Sequence, residues 1–169
     1  EMGALPDRVT QNTYDAQGRI TQVIGPQNER TDYLYDTIGY PTETRLWTDL
    51  SNYRRTQFSY TTGGQPHRGL IRQVTVTPAP PDPAASIVSA FSWNVHGDLV
   101  GVVDPRGNFT GATYDDVRRM TQLDRRMGAE AAALGARSTF EYDLNGRLRF
   151  VREATTTPAT AWASSEARY

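Results

Sequence analysis

Cysteine is absent from the 169-residue chain, which removes disulfides, thiol catalysis and cysteine-ligated zinc together and leaves the redox compartment open. Histidine is scarce. His67 and His96 are the whole supply; both fall in turn regions, where plain turn surface is the default reading, and neither stands beside a Ser or Asp in a nucleophile motif. No apolar run approaches the ~20 residues that span a bilayer, and no basic-then-apolar signal opens the chain. No Gly-rich loop precedes a helix, as phosphate binding requires, and the Asp residues are spread out instead of grouped as in a calcium loop. Nor is one sign of charge in excess: 18 basic residues stand against 19 acidic, a net charge of −1, so no broad attraction to nucleic acid or an anionic membrane is implied. The expectation is a protein without catalytic, cofactor or metal residues, and so not an enzyme.

What is present is a repeated phrase. Tyr142-Asp143-Leu144-Asn145-Gly146-Arg147-Leu148 is matched by Tyr14-Asp15-Ala16-Gln17-Gly18-Arg19-Ile20 at the Tyr, Asp, Gly, Arg and aliphatic positions. Looser copies start at Tyr35 (with Asp36 and Gly39), Tyr60 (Gly64), Trp93 (Gly97, Leu99) and Tyr114 (Asp115, Arg119, Met120). The six aromatic starts lie 21, 25, 33, 21 and 28 residues apart, a period that implies an array in which each unit completes its neighbour's packing.

Each copy reads as a β-hairpin. Aromatic and β-branched residues lead into Asp, whose carboxylate can accept backbone N–H bonds, and Gly supplies the positive φ that closes a short loop. The predicted strand pairs are 9–14 with 19–24, 30–35 with 42–47, 54–60 with 70–77, 87–93 with 99–103, 110–114 with 120–125 and 137–142 with 147–153. Gly25-Pro26-Gln27-Asn28 and Asp104-Pro105-Arg106-Gly107 make turns between hairpins, each proline standing 12 residues after its aromatic start. Pro41 should weaken pairing just past its loop. Residues 128–136 are alanine-rich and bounded by glycines, which predicts a short helical insertion or a loop. Thr155 to Thr160 reads as a loop. Ser164 to Tyr169 reads as the approach to another repeat, Tyr169 standing 27 residues after Tyr142, so a fragment of a longer array is expected.

Alternation before each turn places Tyr33/Tyr35, Phe58/Tyr60, Phe91/Trp93 and Phe140/Tyr142 on one face and Asp32, Gln57, Ser59, Ser92, Thr139 and Glu141 on the other. One apolar face with a ladder of rings and one wet face is the expectation. Pro78 to Pro83 reads as an extended, exposed loop, with Pro78 and Pro81 at an interval that a proline-recognising domain could read. Arg118-Arg119 and Arg125-Arg126 form a basic patch interleaved with Asp115, Asp116 and Asp124, a self-compensated face. Asn108-Phe109-Thr110 fits the glycan acceptor pattern.

The Tyr-Asp-x-x-Gly-Arg-Leu phrase at 142–148, its twin at 14–20, the Asp-Pro-x-Gly turn at 104–107 and the period resemble the YD-repeat (Rhs-repeat) family over nearly all of the chain. Departures are Thr61 and Asn94 in place of Asp, Tyr40 in place of Arg, and Arg118 where Gly is usual. The resemblance implies an all-β fold of consecutive antiparallel hairpins in a curved, spiralling sheet, a single array over 1–169. Members include bacterial Rhs effectors, insecticidal toxin complexes and animal teneurins. It also implies a structural wall of a secreted or cell-surface bacterial shell, partnered by further repeats and by a C-terminal effector domain that the shell encloses. The alternative is an extracellular module binding carbohydrate or protein. Open sheet edges invite self-association in either case.

Overall fold

The computed structural model describes residues 9–62, 68–80, 86–156 and 162–168. Within them the chain is all β. The strands are β1 (Gln11–Tyr14), β2 (Ile20–Ile24), β3 (Arg30–Tyr35), β4 (Pro41–Trp47), β5 (Tyr53–Tyr60), β6 (Ile71–Thr77) and β7 (Ile87–Trp93), then β8 (Leu99–Val103), β9 (Phe109–Tyr114), β10 (Met120–Arg126), β11 (Leu134–Tyr142), β12 (Leu148–Thr156) and β13 (Trp162–Arg168). They form a 13-stranded sheet hydrogen-bonded in sequence order, and every described pairing is antiparallel. In that order β1 and β13 stand at the two ends of the sheet.

In five of the hairpins the turn is described, and its positive-φ position is taken by Gly18, Gly39, Gly97, Arg118 or Gly146. Tyr14 pairs with Ile20, Tyr35 with Pro41, Trp93 with Leu99, Tyr114 with Met120 and Tyr142 with Leu148, in each case next to a register shift. The recurring bulge leaves one extra residue in each return strand, Thr21, Thr42, Val100, Thr121 and Arg149, as a β-bulge does. Pro41 does not weaken its strand. It opens β4 opposite Tyr35, the strand-first position where a missing N–H costs no ladder bond.

Three expected boundaries are corrected. The first strand starts at Gln11 instead of Val9. No helix forms at 128–136: the segment bends and turns, and β11 already begins at Leu134, opposite Arg126. A stretch that short gains too little from helix propensity to offset nucleation, whereas ladder bonds to β10 are at hand. Thr155 is not loop either, because β12 runs on to Thr156 against β13. Gly63, Gly64 and His67 lie outside the described residues, as do Pro81 to Pro83 and Thr157 to Thr160.

Contacts divide the chain into two units, residues 1–59 with 74–88 and residues 60–73 with 89–169. In the first, the buried polar residues are Asp32 (9% exposed) and Glu43 (8%). In the second, Phe109, Asp124 and Ser138 are buried. The expected division into an apolar core face and a wet face is corrected in part: Ser59, Ser92 and Glu141 of the wet face are exposed, but Asp32 is buried there, and of the aromatic starts Tyr14 is exposed and the others are only half-buried. A single layer of strands has no second layer to cover its rings, so arginine stems and hydrogen-bonded carboxylates take that place.

Phe109 is the one buried apolar side chain among the described residues. Its ring lies over the cross-strand pair Gly101 and Gly111, where added Cβ atoms would stand 3.0 and 2.7 Å from it. Two glycines in mid-strand thus make the slot that a ring fills.

Candidate functional site

The repeated residues converge on the turn end of each hairpin. Asp15 Oδ1 accepts the N–H groups of Gln17 and Arg19, both at 2.9 Å, while its Oδ2 accepts Arg19 Nε at 2.7 Å. Gly18, at φ 78°, closes the turn by donating to Asp15 O. Asp115 does the same for Val117 and Arg119. Asp36, Asp104 and Asp143 each accept the two backbone N–H groups at the same offsets, and Gly39, Gly97, Gly107 and Gly146 supply the positive φ.

At Asp15, Asp104 and Asp115 the bonds favour the ionised acid. The N–H of Arg19 leads the causes that hold Asp15 below the usual carboxylate range, and the N–H of Arg119 does so for Asp115. At Asp104 the side chain of Asn108 leads.

Gly25 occupies the Asp position of its turn, and a Cβ there would meet the Glu29 carboxylate at 2.0 Å. Glu29 folds back into the vacant space and accepts from Gln27 N, so a later residue supplies the carboxylate that the turn needs. Asn28 takes the glycine position there, at φ 62°.

Arginine does more than close its own turn. The Arg19 guanidinium lies 4.5 Å from the centroid of the Tyr35 ring in the next hairpin, and Tyr35 Oη donates to Ile20 O at 2.8 Å. The same pair of contacts joins Arg119 to Tyr142, with the guanidinium 4.7 Å from the ring and Tyr142 Oη donating to Met120 O at 2.8 Å. Trp93 Nε1 donates to Ile71 O and Tyr114 Oη to Leu99 O. The aromatic start of one hairpin thus reaches the carbonyl at the beginning of the return strand of the hairpin before it. The motif is an inter-hairpin joint.

Arg147 meets Asp143 through its backbone N–H. Its next aromatic start, Tyr169, lies outside the described residues.

A second set of contacts binds the opposite face, and residue-by-residue reading of the sequence missed it. Asp32 accepts from Gln22 Nε2, from Arg30 Nε and Nη2, and from Trp47 Nε1, at 2.7–3.0 Å. Burial raises its pKa, and these donors outweigh burial, so the net direction is down. Glu43 accepts from Arg45 and Gln57. Asp124 takes both donors of Arg137, whose bonds lead the causes lowering its pKa. Arg30 stacks on Trp47 and Arg45 on Tyr53, while Trp47 and Tyr53 meet each other at 4.8 Å. Trp47 and Tyr53, which are not rings of the predicted ladder, are thus interleaved with guanidinium groups.

A signal for this was present in the sequence. All 18 basic residues are arginine, with no lysine anywhere, and only the planar, forked guanidinium can pair a carboxylate and stack on a ring together.

Of the expected basic patch, Arg118, Arg119 and Arg126 pair with Asp98, Asp115 and Asp124. Asn108 of the glycan pattern spends its side-chain N–H on Asp104, and Phe109 beside it is buried. His96 is exposed in its turn. Among the described residues no group of three or more His, Cys, Asp or Glu is placed to hold a metal ion. A shallow depression of about 550 Å³ lies between the turns at 25–29 and 48–52, with Arg30 and Trp47 in its wall.

The comparisons with known proteins agree with this architecture. Crystal structures of TcdB2-TccC3-TEV and TcdB2-TccC3 align over 95% of this chain with TM-scores of 0.52 and 0.50, each at 14% identity. The fold is shared with TcdB2-TccC3. This chain spans about a tenth of the length of those chains, 10% in each case. No family model and no curated protein matches it.

Proposed function

We propose that this chain is a non-enzymatic wall segment of a YD-repeat (Rhs-type) shell that encloses a C-terminal toxin or effector domain of the same parent polypeptide. The observation that carries this reading is the joint. The Tyr, Asp, Gly and Arg of the motif are spent on closing turns and tying each hairpin to the next, and residues used in this way serve a wall. The fold shared with TcdB2-TccC3 supports it as analogy of architecture. A secreted or cell-surface bacterial setting belongs to the same proposal.

The test is limited proteolysis of the full parent polypeptide. A domain beyond the repeats should survive protease while the repeats are folded and be cut once they are denatured. Cleavage of that domain at the same rate with the repeats folded would overturn the shell reading.

The depression beside Trp47 gives a second reading, an extracellular binding module, its one structural observation. Its volume is within the range of ligand pockets. Selective retention of a glycan or protein by the folded chain, lost when residues 48–52 are replaced, would support that reading over the first.

A further inference from the structure

Three departures from the repeat fall at one junction. The hairpin β7–β8 has Asn94 in the Asp position and Asp98 in the Arg position, and the following hairpin β9–β10 has Arg118 in the Gly position. Arg118 is held at φ 66°, close to the 78–81° of Gly18, Gly97, Gly107 and Gly146. A side chain in that region is strained, and the turn at Asp115 could be closed by glycine as its neighbours are. Something offsets the strain. Arg118 Nε and Nη2 reach back 20 residues to Asp98 Oδ1 at 2.8 and 2.5 Å. The Asp98 side chain is 9% exposed, and its other oxygen accepts Asn94 Nδ2 at 3.0 Å.

We propose that Asn94, Asp98 and Arg118 are one matched substitution, an ion-paired joint that replaces the arginine-over-ring joint and specifies β9–β10 as the partner of β7–β8. The logic is electrostatic. Where Arg19 follows Asp15, the acid and the base of one turn satisfy each other. With Asp98 in the arginine position an Asp at 94 would set carboxylate against carboxylate, whereas Asn94 accepts the turn N–H groups of His96 and Asp98 and still donates to Asp98. The cation that balances Asp98 then has to come from the next hairpin, and the glycine position of that hairpin is the place from which it reaches. A hairpin with glycine there would leave Asp98 without its cation, and an arginine at 98 would face Arg118. Each wrong pairing leaves a charge unmatched, which is how specificity is built.

The effect of N94D discriminates. It is measured by thermal unfolding of the 169-residue chain at neutral pH, alone and in the D98R/R118G background. Alone, N94D should lower the midpoint by a few degrees, about 2–4 °C. In D98R/R118G it recreates an Asp-Arg turn followed by a Gly turn and should raise the midpoint. A fall of the same size in both backgrounds would overturn the proposal. Should D98R/R118G fail to fold, D98N/R118G serves instead: the penalty of N94D must vanish there, and a penalty as large as in the unaltered chain overturns the proposal equally.

Discussion

Arg19 and Tyr35 belong to different hairpins and meet as cation and ring: the guanidinium lies 4.5 Å from the ring centroid, while the phenol of Tyr35 donates to Ile20 O, one residue past the arginine. Arg19 is meanwhile bound to Asp15 in its own turn. One side chain therefore closes a hairpin and docks the next. This dual role explains why the phrase repeats as a unit: loss of the Asp frees the arginine from its turn, and loss of the arginine leaves the following ring uncovered.

Removal of the phenol isolates the other half of the joint. Tyr142→Phe should cost about 0.5–1.5 kcal/mol in urea denaturation, because Met120 O loses its donor. Tyr14 is 55% exposed and its hydroxyl has no partner among the described residues, so Tyr14→Phe should be close to neutral. Equal losses at the two positions would show that the bond contributes nothing specific.

The Phe109 slot predicts a steric effect. Gly111→Ala would place a methyl 2.7 Å from the ring and should cost about 1–3 kcal/mol by overpacking. In a Phe109→Ala background the same change should be nearly free. The comparison is made by urea denaturation, and an unchanged cost without the ring would place the strain in the backbone instead.

Acid should unfold the protein in a defined window. Asp124, with Arg137 as the leading cause, and Asp32 both have pKa values lowered by folding. A group whose folded pKa is depressed stabilises the native state above its unfolded value, about 3.9 for Asp, and that stability is lost as pH falls through the folded value. Stability should stay flat from neutral pH to about 5 and decline below about 4. Asp124→Asn should be less stable at neutral pH and show a shallower acid decline, read from denaturation midpoints across pH.

Much of the strand plan was legible because the turns announce themselves. Asp with Gly three residues on fixed the loops at 15–18 and 143–146, and alternation fixed the strands on each side. Residues whose role depends on which other side chain packs or pairs against them were not legible. Arg118 in place of Gly reads as an irregular turn until Asp98 is seen beside it, and Gly25 reads as a plain turn residue until Glu29 is found in the space of its missing side chain. Gly101 and Gly111 read as weak points in their strands until Phe109 covers both. The alanines near 130 misled because local propensity favoured helix while the strand ladder through Leu134 decided the outcome. For the site, the Tyr, Asp, Gly and Arg positions were legible as a repeated phrase, but not the partnership between one hairpin's arginine and the next one's ring.

That partnership is tested most directly by a double-mutant cycle on Arg119 and Tyr142, using Arg119→Ala and Tyr142→Leu and reading the coupling from urea denaturation. The joint predicts that the two changes together cost less than the sum of the single costs, with a coupling of about 0.5–1 kcal/mol from the stacked cation. Costs that simply add would mean that the arginine and the ring act independently, and the motif would then be a row of separate turns instead of a chain of joints.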